Sequence, residues 1–133
     1  MKAHTWFLAG PRMLLTNARF GIVGAALLLL TACAITEPVV IIGKEGHMLR
    51  GTATASLSGR GSFSATDGHI TCTGNYNSLN MSVTITMQVL CSDGRKGFVI
   101  ATREANGRDG HGTVTLNDGS KWTFVFGAAA ENF

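Results

Sequence analysis

Apolar and polar residues alternate through much of the second half of this chain, and the alternation predicts strands. Val83, Ile85, Met87 and Val89 fall on one face, with Ser82, Thr84, Thr86 and Gln88 opposite. That is the pattern of an antiparallel strand with one wet side. Trp122, Phe124 and Phe126 repeat the period with Thr123 and Val125 between them. Weaker patterns outline strands over 52–57, 62–65, 69–73, 81–90, 96–102, 112–116 and 121–126. Val39-Val40-Ile41-Ile42 could add a first strand, although Pro38, Gly43 and Gly46 discourage regular structure around it. No stretch beyond residue 33 carries a helical period. The fold class expected is all-β: a small antiparallel meander of about seven strands, forming a barrel or a sandwich.

The turns are written as plainly as the strands. Asp67-Gly68, Asp93-Gly94 and Asp118-Gly119 lie between predicted strands, 26 and 25 residues apart. Asp-Gly favours two-residue type I′ hairpins, in which both positions need positive φ. Single aspartates so far apart lack the clustered oxygens that calcium requires, so no metal is expected there.

An internal echo accompanies the turns. Gly59, Gly61, Phe63, Asp67 and Gly68 recur, shifted by 51 residues, as Gly110, Gly112, Val114, Asp118 and Gly119. A repeated hairpin argues for a meandering sheet that stacks or closes on itself. The segment GHGTVTLNDGSKW also resembles the membrane occupation and recognition nexus (MORN) repeat, a β-hairpin marked by glycines and an aromatic residue. Gly110, Gly112, Asp118, Gly119 and Trp122 match. The first copy departs, with Thr71 where the aromatic belongs and the next glycine displaced to Gly74. The resemblance implies a hairpin shape and no function.

The first third of the chain is of another kind. Lys2, Arg12 and Arg19 precede an 11-residue apolar stretch, FGIVGAALLLL, over 20–30. As a helix it would span about 16 Å, too short for a bilayer core of about 30 Å. Positive charge, a short apolar run and then small residues are the parts of a secretory signal. Leu30-Thr31-Ala32-Cys33 comes directly after and resembles the lipobox of bacterial lipoprotein precursors. The resemblance implies a diacylglyceryl thioether on Cys33, cleavage after Ala32, and acylation, such as palmitate, of the new amino terminus. One acyl chain binds a membrane weakly, whereas two or three anchor stably. The sorting rule for such proteins retains those with Asp after the cysteine at the inner membrane. Ala34 stands there, so the resemblance implies the bacterial outer membrane, with the domain facing the periplasm or the cell surface. Cys72-Thr73-Gly74-Asn75-Tyr76 and Cys91-Ser92-Asp93-Gly94-Arg95 are similar to other small proteobacterial lipoproteins of unassigned role. Met13 begins a signal of more usual length and is a candidate start.

The expected organisation is therefore a signal peptide over 1–32, a lipidated tether over 33–46, a β domain over 47–127 and a tail over 128–133. Processing changes the charge balance. The whole chain carries a formal net charge of +3, but three of its cations lie before Cys33. The chain from Cys33 onward has eight basic residues (Lys44, Arg50, Arg60, Arg95, Lys96, Arg103, Arg108, Lys121) against eight acidic ones (Glu37, Glu45, Asp67, Asp93, Glu104, Asp109, Asp118, Glu131). A nucleic-acid footprint needs a basic excess, so that partner class is excluded.

With Cys33 lipidated, Cys72 and Cys91 are left, and two cysteines in an exported chain are expected to form one disulfide. The register raises a conflict. If 77–80 were a tight turn, Cys72 would face about Ile85. Either the bridge joins non-adjacent strands, the loop is longer, or a bulge shifts the pairing.

No residue pattern signals catalysis or a cofactor. His47, His69 and His111 are isolated beside glycines or turns and lack an orienting partner in sequence. No serine occupies a G-x-S-x-G elbow. The GRDGHG segment at 107–112 lacks the Lys-Ser/Thr of a phosphate-binding loop. Arg95-Lys96 is the one small basic cluster. It is a candidate contact patch for an acidic surface or an envelope protein, and equally a charged tip that blocks edge pairing. These residues together read as a membrane-anchored, non-enzymatic lipoprotein with a binding or envelope-structural role. The alternative is an inhibitor of a protease or lysozyme, which requires a protruding loop at Arg95-Lys96 or 107–112.

Overall fold

Eight antiparallel strands succeed one another in chain order and close into a barrel, so the all-β meander resolves as a barrel rather than a sandwich. The computed structural model describes residues 33–133. Residues 1–32, read above as a signal peptide and including Leu30-Thr31-Ala32 and Met13, lie outside the described residues. The strands are β1 (Ala34–Ile42), β2 (Met48–Ser56), β3 (Arg60–Thr66), β4 (Thr71–Asn77), β5 (Thr84–Cys91), β6 (Lys96–Arg103), β7 (Gly110–Leu116) and β8 (Lys121–Phe126). Each pairs with its neighbour, and β1 pairs with β8 to close the ring.

The period-two patterns decide which residues point inward. Val39 and Ile41, Leu49, Phe63 and Ala65, Cys72, Ile85 through Cys91 at alternate positions, Val99 and Ala101, Val114 and Leu116, and Phe124 form one buried cluster. Eight strands leave an interior just wide enough for side chains to fill. Phe63 and Phe124 meet there edge to face, their centroids 5.1 Å apart. Glycine makes room for the rings: a Cβ at Gly74 would overlap the Phe63 ring, and one at Gly61 would overlap Tyr76. These are register partners, Phe63 with Gly74 and Gly61 with Tyr76. At Gly51, Gly97 and Gly112 the obstacle is different. A side chain there would strike the carbonyl oxygens of Ser64, Thr115 and Ile100 on the adjoining strands. These glycines let the sheet coil tightly enough to close.

Two seams are short. β4 pairs with β5 only from Cys72 opposite Cys91 to Asn75 opposite Gln88. β1 pairs with β8 only over 39–42. The predicted disulfide is formed and lies in the first seam, between register partners. The register conflict resolves through loop length. The chain between β4 and β5 runs from 78 to 83, so the predicted strand over 81–90 begins only at Thr84.

The second seam corrects the domain boundaries. The stretch expected as a tether supplies β1, giving eight strands instead of about seven, and the barrel begins at Ala34 rather than at 47. Pro38 is accommodated because residues 34–38 pair with β2 alone and have no strand on their other side. The expected tail forms a 3-10 turn over Ala128–Asn132. Its Ala130 packs on Val40 and Val125, covering the closing seam from outside. Gly127 N–H donates to the Pro38 carbonyl at 2.9 Å.

Candidate functional site

Antiparallel order places the loops 43–47, 67–70, 92–95 and 117–120 at one end of the barrel, so the three Asp-Gly pairs come together there. They are not type I′ turns. Gly68, Gly94 and Gly119 have φ of 92°, 90° and 84°, while no aspartate has positive φ. In the second and third hairpins the loop is three residues long. Cys91 N–H donates to Arg95 O and Gly94 N–H to Cys91 O, at 2.8 and 3.0 Å. Leu116, Gly119 and Ser120 repeat that arrangement. The left-handed residue is therefore the glycine alone, and the aspartate keeps its carboxylate free to accept from the loop. Asp93 accepts from Arg95 N–H at 3.0 Å and Asp118 from Ser120 N–H at 2.9 Å. Asp67 accepts from both His69 and Ile70.

Trp122 joins these loops. It points inward at this end, with Gly43 against its ring, His47 edge-on at 6.0 Å and the Arg95 guanidinium 5.2 Å from its ring centroid. Arg95 also reaches Asp93 at 2.7 Å and Asp118 at 3.3 Å, and His47 reaches Asp67 at 2.7 Å. All four loops are thereby tied to one another, and the indole stops the barrel mouth. Arg95 is consequently occupied, half-buried over Trp122, and only Lys96 of the candidate contact patch is exposed.

Hydrogen bonds to the ionised form lower a carboxyl pKa. The N–H groups of Ile70 and His69 hold Asp67 below the usual carboxylate range, and the Arg95 N–H does the same for Asp93. The Ser120 hydroxyl and N–H depress Asp118, and the Ala128 N–H with Asn106 depresses Asp109. A group depressed in the folded state stabilises the fold above its unfolded pKa, near 3.9 for aspartate, and that contribution is lost as pH falls through the folded value. Resistance to urea is expected to hold from neutrality to about pH 5 and to fall below about pH 4. Asp118→Asn should flatten that acid slope, and equal slopes in the variant and the parent would refute the assignment.

The other end is chemically different. Ala34, bonded to Cys33, opens β1 there, and Cys33 is exposed. The Arg108 guanidinium pairs with Glu37 of β1, while Asp109 accepts from Ala128 N–H at 2.6 Å and from Asn106 at 2.5 Å. The GRDGHG segment is therefore pinned at Arg108 and Asp109. His111 stands 3.9 Å from Glu104, both exposed. Among the described residues, no three of His, Cys, Asp and Glu converge as metal ligands.

The wall is polar outside and apolar inside, the reverse of a barrel that spans a membrane. Thr52, Ser62, Ser64, Thr73, Thr86, Gln88, Thr102, Thr113 and Thr123 all face out. Leu90, Phe98 and Ile100 break that pattern at 58%, 51% and 56% exposure. Phe98 and Ile100 share the outer face of β6, and Leu90 lies diagonally across on β5. Leu90 and Phe98 border an outer groove that Thr73 and Asn75 of β4, Gln88 of β5 and Lys96 of β6 also line. The signal for this ridge in the sequence is the unbroken run Phe98-Val99-Ile100-Ala101, which marks a strand apolar on both faces.

No family model matches this chain, and no curated protein matches it. Among solved structures it is similar to a de novo designed fluorescence-activating β-barrel. The TM-score is 0.51 at 13% identity, over 68% of this chain and 88% of the design. The likeness is one of fold alone.

Proposed function

We propose that this chain is a lipoprotein anchored in the bacterial outer membrane through Cys33, whose barrel is a binding module that works through its outer wall. The observation that carries this reading is the polarity of the barrel. A wet wall does not enter a bilayer, so membrane attachment falls to the lipobox cysteine. A filled interior offers no lumen for a ligand, so contact with an envelope protein falls to the Leu90, Phe98 and Ile100 ridge. Exposed apolar clusters of this kind are where partners bury surface.

Two measurements test the two halves. Unreduced intact mass of protein extracted from bacterial membranes should equal residues 33–133 plus acyl groups less two hydrogens, and Cys33→Ala should leave precursor or a soluble form. An unmodified mass that retains residues before Cys33 would overturn the anchor. A photoreactive amino acid at Ile100 should trap a partner in membranes, while the same group at Thr54, on β2, should not. Equal yields from both positions would refute the wall as the binding face.

A further inference from the structure

Apart from Phe133, the large exposed apolar side chains among the described residues fall into two sets, and the larger one lies at the end where β1 begins. Ile35, Leu57, Leu79, Met81 and Val83 are 53%, 72%, 57%, 87% and 66% exposed. Ile35 lies in β1 in the inward phase of Val39 and Ile41, and two residues just outside strands continue that phase, Leu57 directly after β2 and Val83 directly before β5. Leu79 and Met81, like Val83, come from the 78–83 loop. That loop is fixed in place: Ser78 N–H donates to Gly59 O at 3.1 Å and its hydroxyl to Ser56 O at 2.5 Å. Arg103 N–H donates to Val83 O at 2.8 Å. The opposite end carries charged and polar loops around Trp122 instead.

We propose that this apolar rim enters the leaflet that holds the lipid on Cys33, as a second, shallow anchor. The inference rests on the anchoring reading above. The occupant is set by chain geometry: Ala34 is already in β1 and Ile35 pairs with Ala55, so no slack chain separates an acylated Cys33 from the rim. A lipid held one residue from a ring of exposed Leu, Ile, Val and Met brings that ring to the bilayer surface. Apolar surface then enters the headgroup–acyl boundary to a depth of about 5–10 Å. The charges of this end are Arg60, Arg103 and Arg108 against Glu37, Glu104 and Asp109. They balance, so the insertion is apolar in origin and insensitive to salt. The rim fixes the pose of the barrel, with the Trp122 end turned away from the membrane.

The test uses the full chain, matured and extracted from membranes. It is reconstituted in phosphatidylethanolamine and phosphatidylglycerol vesicles containing lipid brominated near the top of the acyl chain. Met81→Trp places a reporter on the rim, and Lys44→Trp places one at the far end; Trp122 is common to both. The rim tryptophan should shift to the blue and lose emission to bromine, while the Lys44→Trp protein should match the parent. If the Met81→Trp protein is acylated and floats with the vesicles yet emits as in water, the anchor stands and rim insertion falls. If its mass shows no acyl group and it is still quenched, the rim stands and the anchor falls. A protein that is neither acylated nor quenched overturns both.

Discussion

Phe124→Ala should destabilise the barrel by about 3–5 kcal/mol, the usual cost of truncating a buried aromatic side chain. Phe124 is 2% exposed and among the largest fully buried side chains. It touches Phe63 from across the interior and Phe126 along its own strand, with centroids 5.1 and 6.1 Å away. The barrel cannot easily collapse onto the resulting hole, because Phe124 is held at both edges of β8, by Gly112 of β7 and Ile41 of β1. The cavity therefore persists and its full cost is felt. For a domain of this size, stabilised by about 5–15 kcal/mol in total, such a loss lowers the thermal midpoint by more than about 10 °C. Phe98→Ala on the outer wall is the matched control and should cost about 1 kcal/mol or less. Thermal unfolding monitored by near-ultraviolet circular dichroism decides the matter. Equal losses in the two variants would mean that the interior is not the packed core described.

Removing the disulfide is the second large effect. Cys72 and Cys91 are separated by 19 positions, and closing a loop of that size is worth roughly 3 kcal/mol in the chain-entropy model. Position adds to the expectation. The bridge closes one end of a four-pair ladder, and β4 and β5 part past its other end, Asn75 opposite Gln88. The double variant Cys72→Ala, Cys91→Ala should therefore lose stability, and the loss should begin locally. Amide hydrogen exchange should rise first in β4 and β5, while β6 to β8 keep their protection. A uniform rise across the whole barrel would refute a local clamp, and an unchanged melting midpoint would refute the stabilisation itself.

Much of this is legible in the chain, for reasons that particular residues make plain. The inward face of Ile85, Met87 and Val89 can be read directly, because a half-buried strand writes its two faces as alternating letters. Asp93-Gly94 and Asp118-Gly119 are recognisable as hairpins, but their turn type is not. Period and composition do not distinguish a two-residue loop from a three-residue one, and the hydrogen bonds from Arg95 and Ser120 to the aspartates settle it. Val39 to Ile42 can be read as a strand, but the first half of β1 is hidden because Pro38 reads as a break, and proline is tolerated there because residues 34–38 have a strand on one side only. The role of Arg95 is hidden too, since its partners Asp118 and Trp122 lie 23 and 27 positions away.

By itself the sequence determined the all-β class, most of the strands, the hairpin positions and the two cysteines available for pairing. These are local matters: side-chain period, the φ that glycine permits and the count of thiols. It also carried the resemblance to a secretory signal and lipobox, which are short linear patterns. Closure into a barrel was decided only in three dimensions. It depends on Gly51, Gly97 and Gly112 letting backbones approach and on β1 meeting β8, from opposite ends of the domain. The two unlike ends were also decided there. Antiparallel order carries Leu57, Leu79 and Met81 to one end and Asp67, Arg95 and Trp122 to the other, and no local pattern records which turns will become neighbours.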